Sequence, residues 1–254
     1  MIMKISVVFF DLGSTLVYSK DPWPPIYEQA DWALADVLSR AGYEIDLASF
    51  YAEFGGFIRS YYDRHTIDNL EQTSFSALRE LLSMKGFQNV PDEVLRAALE
   101  ALYTVTQQNW YLEEDALSTL ETLKSRGYRL GLISNTSDDL NVQGIVSRWG
   151  LRPYFETIVT SAALGIRKPD VRIFQVALDH FQVQSAEAAM VGDTLEADVL
   201  GANRLGIYSI WITRRINLPE DGELAIEPQA VVSALGQIPG LLTEVENDKS
   251  RGGA

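Results

Sequence analysis

Four sets of polar residues stand just beyond short apolar runs in this sequence. Asp11 follows Ile5 to Phe10, Ser134 and Asn135 follow Leu130 to Ile133, Lys168 comes after Thr157 to Thr160, and Asp193 with Asp198 follows Ala188 to Val191. Together they are the groups that chemistry on a phosphoryl group needs. A carboxylate such as Asp11 can attack phosphorus and carry the phosphoryl group as an aspartyl phosphate. Asp193 and Asp198 suit Mg²⁺, a hard cation that binds oxygen ligands and neutralises charge on the transferring group. The Ser134 hydroxyl can hydrogen-bond a phosphoryl oxygen. Lys168 stands directly before Pro169, where free N–H groups at a helix start already favour an anion.

Each residue also has a plain structural use. Asp11 can cap the following helix, and Ser134 can be an N-cap or a Ser/Thr turn. Asp193-Thr194-Leu195-Glu196 has the form of a capping box, which leaves Asp198 unexplained. Lys168 can be a solvated surface lysine, although a cation there opposes the macrodipole of the helix expected from Pro169 through Val171, Phe174 and Leu178.

The elements that would position these residues follow from periodicity. The four apolar runs, and a fifth from Tyr208 to Ile212, read as buried strands separated by helical patterns. That alternation predicts an α/β fold with a doubly wound parallel, Rossmann-like sheet. In such sheets ligands bind beyond the carboxyl ends of the strands, where the polar residues stand. Residues 18–110 read instead as helices, too long for an ordinary βα connection, and predict an inserted α-helical cap domain between core segments 1–17 and 111–245. One stripe runs from Ile26 through Ala30, Ala33, Leu34, Val37 and Leu38, and a second from Phe54 to His65. Further helices are expected over Phe75 to Lys85, Asp92 to Gln107, Glu113 to Ser125 and Val231 to Ile238, with a disordered tail at 246–254. The aromatic residues of the insertion, including Trp23, Tyr27 and Trp32, fit a helical core or a pocket lining.

Composition narrows the partners. The chain has 254 residues, 46% of them hydrophobic, and a formal net charge of −14. That charge opposes nucleic acid and anionic membrane surfaces. Cysteine is absent, which excludes disulfides and thiolate chemistry and fits a reducing compartment. The apolar run after Lys4 is too short for a signal peptide or a membrane span, so a cytoplasmic location is expected.

Phe9 to Leu16, Leu132-Ile133-Ser134-Asn135, Arg167-Lys168-Pro169-Asp170 and Val191-Gly192-Asp193 through Asp198 resemble the four ordered motifs of the haloacid dehalogenase-like (HAD) hydrolase superfamily. The resemblance covers Ile5 to Ile212 and points to a phosphatase-type member with its helical cap after the first motif. It implies Asp11 as nucleophile, Ser134 and Asn135 as phosphate ligands, and Lys168 steadying nucleophile and phosphate. It also implies Mg²⁺ held by Asp11, Asp193, Asp198 and the backbone carbonyl of residue 13. The implied partner is a small phosphorylated metabolite, and the implied assembly a monomer or homodimer.

One position departs from that pattern. Family phosphatases usually carry a second Asp two residues after the nucleophile, where it protonates the leaving oxygen; here the residue is Gly13. Its carbonyl is retained, but the acid is lost, and general acid catalysis is worth roughly 10²- to 10⁴-fold. Slow turnover of alkyl phosphates and better turnover of substrates with good leaving groups are therefore expected. Two alternatives stay open: a 2-haloacid dehalogenase, which attacks carbon and needs no acid for a halide, and a low-activity phosphate- or partner-binding protein.

Overall fold

The computed structural model describes residues 4–46, 53–54, 69–216 and 225–251. β1 (Val7–Phe10) leads through a tight loop into β2 (Val17–Ser19), which is followed by helices α1 (Trp23–Arg40), α2 (Ser74–Met84) and α3 (Asp92–Thr106). β3 (Trp110–Leu112) returns the chain to α4 (Ala116–Ser125), β4 (Arg129–Ser134), α5 (Asp139–Arg148), β5 (Thr157–Thr160) and the short α6 (Ser161–Leu164). α7 (Val171–Phe181), β6 (Ala188–Gly192), α8 (Leu200–Leu205), β7 (Tyr208–Ile212), β8 (Ala230–Val232) and α9 (Ile238–Arg251) complete it.

Six strands form one parallel sheet in the order β5-β4-β1-β6-β7-β8. Counted along the sheet's own strands this is 3-2-1-4-5-6, the doubly wound order, with its switch point at β1. The period of two along each strand explains the two helical layers. Val8 and Phe10 face one core with Leu120, Leu123, Val142, Ile145 and Leu242, from α4, α5 and α9. Val7 and Phe9 face the other, with Ile173, Phe174, Leu178 and Ala202 from α7 and α8. Every β1 residue is fully buried, as the uninterrupted Val-Val-Phe-Phe run requires.

α1, α2 and α3 pack around their own apolar cluster, which includes Leu34, Leu38, Leu78, Leu82, Leu95 and Leu99. The expected helix from Phe54 to His65 lies, apart from Phe54, outside the described residues. Two ties hold the ends of this segment. β2 pairs antiparallel with β3, setting Val17 against Leu112 and Ser19 against Trp110. Beside it, Asp21 N donates to Asn109 Oδ1 at 2.9 Å, and Asn109 Nδ2 returns a bond to Asp21 O at 3.0 Å.

Two C-terminal expectations are corrected. Residues 230–232 form an edge strand rather than the start of a helix, with Val231 exposed and Val232 buried. Three residues are too few to distinguish period two from 3.6. The last helix begins at Ile238, where the sequence reading ends one, with Pro239 in its first turn, and it runs through the expected disordered tail to Arg251. Among the described residues, no helix is long and apolar enough to cross a membrane.

Candidate active site

The carboxyl ends of β1, β4 and β6 meet around a crevice of about 370 Å³, lined by Asp11, Ser134, Lys168, Asp193 and Asp198 among others. That is within the usual size of a small-molecule site. Asp11 is fixed by its backbone, since its N–H donates to Val191 O at 2.9 Å and extends the β1–β6 ladder by one residue. Its side chain caps no helix. It accepts from Lys168 Nζ at 2.7 Å instead.

Lys168 is the centre of the constellation. Only 3% exposed, it sends Nζ inward to Asp11 Oδ1, to Asp198 Oδ1 at 2.6 Å and to the Ile133 carbonyl at 2.8 Å. The surface-lysine alternative therefore fails. α7 starts only at Val171, with Asp170 as its N-cap accepting from Arg172 N, so Lys168 stands ahead of the helix. Asn135 grips the lysine's backbone on both sides, Nδ2 donating to Lys168 O at 3.0 Å and Oδ1 accepting from Lys168 N at 2.8 Å. Its side chain thus positions the lysine. Ser134 ends β4 with a buried side chain facing the crevice; Asp138, not Ser134, caps α5.

Asp198 takes its place through two local features. Leu195–Val199 wind as a π-helical turn, a distortion found often at functional sites. Within it Asp198 Oδ2 accepts from Thr194 N at 3.0 Å, so the carboxylate satisfies an N–H at the turn's start. Gly192 makes room: a β-carbon there would stand 2.2 Å from the Asp198 carboxyl, closer than any packing allows. The expected capping box at Asp193 to Glu196 does not form, because Thr194 is the N-cap and makes no side-chain cap bond. The Asp193 carbonyl is anchored by Trp211 Nε1 at 2.7 Å, which leaves its carboxyl directed to the crevice.

Oxygens of Asp11, Asp193 and Asp198 lie within 4.8 Å of one another. Three carboxylates face one ammonium. Burial, opposed by Lys168 and reinforced by Asp198, pushes the Asp11 carboxyl up to about 6. Burial and the neighbouring Asp11 and Asp198 push Asp193 up to about 7. Lys168, despite burial, is raised above its ordinary range by Asp11 and Asp198. Converging oxygen donors with excess negative charge fit a hard divalent cation such as Mg²⁺.

Arg167 and Trp110 are among the other residues lining the crevice, and sequence reasoning assigned neither a role. Arg167 stands 3.7 Å from the buried carboxylate of Glu71. Glu71 also accepts from Ser161 Oγ at 2.7 Å, and the strand-like bridge between Leu70 and Ile166 draws the helical segment against the loop before Lys168. Trp110 sits over Gly13, its ring 3.4 Å from the place of a β-carbon on that residue. Nothing in the sequence marks it, because it reaches the site only through the β2–β3 pairing.

A family model for the haloacid dehalogenase-like hydrolases matches residues 5–206, and the chain belongs to that family. It is similar to the glyceraldehyde 3-phosphate phosphatase of Methanothermobacter thermautotrophicus, 30% identical over 222 residues that cover 85% of this chain and 89% of that one. It also resembles the ribulose-1,5-bisphosphate 5-phosphatase of Halopiger xanaduensis, 29% identical over 206 residues and covering 81% and 83%. Among solved structures, a HAD phosphatase from Thermococcus onnurineus shares the fold with a TM-score of 0.63 at 22% identity, covering 93% of this chain and 97% of that one. A 2-haloacid dehalogenase from Pseudomonas syringae pv. Tomato DC3000 aligns with a TM-score of 0.67 at 26% identity, covering 95% and 99%.

Proposed function

We propose that this hydrolase is a Mg²⁺-dependent phosphatase of small phosphorylated metabolites in the cytoplasm, working through an aspartyl phosphate on Asp11. The observation that carries the reading is the buried Lys168 bridging Asp11 and Asp198 beside Asp193. The similarity along most of the chain to curated phosphatases supports the same reaction class.

In this reading Asp11, Asp193, Asp198 and the Gly13 carbonyl hold the cation, which when bound neutralises charge on the phosphoryl oxygens. Lys168 fixes the Asp11 carboxylate through Oδ1 and offers positive charge to the incoming group; Ser134 hydrogen-bonds a phosphoryl oxygen. A bond forms between an Asp11 oxygen and phosphorus while the bond to the ester oxygen breaks. The electron pair leaves on that oxygen. Gly13 has no proton to give, so the departing anion takes one from water. Water then attacks phosphorus, and the Asp11 carboxylate is released with inorganic phosphate. α1, α2 and α3 act as a cap that restricts water and selects substrate.

The likeness to the Pseudomonas syringae dehalogenase favours a second reading, attack by Asp11 on the carbon of a 2-haloacid, for which Gly13 is no handicap. The three-carboxylate cluster favours the first. A panel of phosphorylated metabolites and 2-haloacids, assayed with Mg²⁺, with EDTA and with Asp11→Asn, separates them. Phosphate release lost in both controls supports the phosphatase; halide release that survives EDTA replaces it. Phosphate binding without any product would point to a protein that has lost turnover.

A further inference from the structure

The crevice lining is mixed: the polar Asp11, Ser134, Lys168, Asp193 and Asp198 are joined by the apolar Val17, Trp110, Val142 and Ile145. Trp110 supplies the atoms nearest to the place of a β-carbon on residue 13. Its ring centroid lies 5.3 Å from that of Trp23, which stacks on Tyr27 at 5.1 Å with 15° between planes. Its backbone is held: the Trp110 carbonyl accepts from Trp149 Nε1 at 3.0 Å. Just beyond it, the buried carboxylate of Glu113 binds Arg214 Nη1 at 2.9 Å and Arg215 Nε at 2.8 Å, pinning the end of β3. The indole is therefore preorganised rather than swinging free.

The family resemblance makes residue 13 the position whose side chain would reach the leaving oxygen, which puts the leaving group on the side of the crevice where Trp110 lies. Two independent features then select the same chemistry. Without an acid, only an oxygen that departs as a stabilised anion leaves readily. Against an indole in the crevice lining, a flat, weakly hydrated group gains aromatic contact and burial. An aliphatic alcohol meets neither condition, and a small aliphatic acyl group such as acetyl meets only the first. Phenols and enols meet both, since conjugation stabilises the departing oxyanion and flattens the group.

Resting on the phosphatase reading, we propose that Trp110 is a specificity-determining residue and that the substrate is a phosphate monoester of a planar, conjugated hydroxyl, aryl or enol. The reaction is the one set out above: the Asp11–phosphorus bond forms, the phosphorus–aryloxy bond breaks, and the aryloxide takes its proton from water.

The probes are phenyl phosphate and acetyl phosphate, both good leaving groups, of which only the first has an aromatic face. kcat/KM is measured for both with Mg²⁺ in the wild type, Trp110→Ala and Trp110→Phe, with folding checked by thermal melting. The ratio of phenyl to acetyl phosphate should fall roughly tenfold in Trp110→Ala and return most of the way in Trp110→Phe. An unchanged ratio in Trp110→Ala overturns the proposal, whether both activities fall together or neither does. If Trp110→Ala does not fold, the ratio in Trp110→Phe against a folded Trp110→Leu decides: equal ratios overturn the proposal. Should the wild type release phosphate from neither probe nor any metabolite, the phosphatase reading itself fails and this proposal falls with it. Turnover of acetyl but not phenyl phosphate contradicts the proposal alone.

Discussion

The Trp110 ring approaches Gly13 to 3.4 Å from where a β-carbon would stand, an ordinary van der Waals contact rather than a clash. Gly13 also lacks the positive φ that would forbid a side chain. A β-carbon at position 13 is therefore sterically admissible, and Gly13→Asp restores the acid that family phosphatases carry there. Gly13→Asp should raise kcat for alkyl phosphates by about 10²-fold, within the usual range for a general acid, with a much smaller gain on aryl phosphates. Steady-state kinetics on a sugar phosphate and an aryl phosphate check this; a folded variant with no selective gain on the alkyl ester would refute it.

Gly192 is the counterpart on the metal side. The 2.2 Å separation means that Gly192→Ala must displace the Asp198 carboxyl. Mg²⁺ affinity should fall roughly 10- to 100-fold, as when a group supporting a metal ligand is lost. Isothermal titration with Mg²⁺ reads this directly, and retention of wild-type affinity would mean that Asp198 is not a ligand.

Lys168 is paired on both sides inside the protein, so removing it leaves buried carboxylates without their cation. Lys168→Met should abolish activity and cost about 3 kcal/mol near neutral pH, the scale for breaking a buried ion pair. Asp11 already has its carboxyl raised to about 6, and loss of Lys168 raises it further. Below that value protonation relieves the unpaired charge. Urea unfolding should accordingly show a larger deficit in slightly alkaline than in mildly acidic buffer; a deficit independent of pH would contradict this picture.

The same carboxylates set the pH dependence of metal stabilisation. Asp11 and Asp193 titrate at about 6 and about 7 in the folded protein, against 3.8 ordinarily. The folded state thus binds more protons than the unfolded one across that interval, and these two groups oppose folding increasingly as pH rises through it. A bound cation requires the deprotonated forms, so its stabilisation grows over the same interval. Saturating Mg²⁺ should raise the melting temperature by about 5 °C in slightly alkaline buffer and by little in mildly acidic buffer. Equal shifts at both would show that these carboxylates do not hold the metal.

Much of this site was legible in the sequence, for a physical reason. Strands buried on both faces are continuous apolar runs, as in Val7–Phe10, and the first polar residue after each is forced to the sheet's carboxyl edge. Asp11, Ser134 and Asp193 follow from that rule, whereas Lys168 and Asp198 stand several residues beyond their strands and were singled out by residue type and the motif resemblance. The π turn around Asp198 was hidden because Asp193 to Glu196 imitates a capping box. The commitment of Asn135 to the Lys168 backbone depends on a loop far along the chain. Trp110 was hidden most completely, since a three-residue strand has no readable period and its contact with Gly13 exists only once the chain has closed around the helical segment.

The central claim is that Asp11 takes up a phosphoryl group, and trapping it is the most direct test. Enzyme mixed with Mg²⁺ and a turned-over phosphate ester, quenched in acid within a turnover and digested, should yield the Asp11 peptide carrying one phosphoryl group, absent from Asp11→Asn. Burst release of the alcohol with no phosphoryl group on that peptide, or full turnover by Asp11→Asn, would contradict the account.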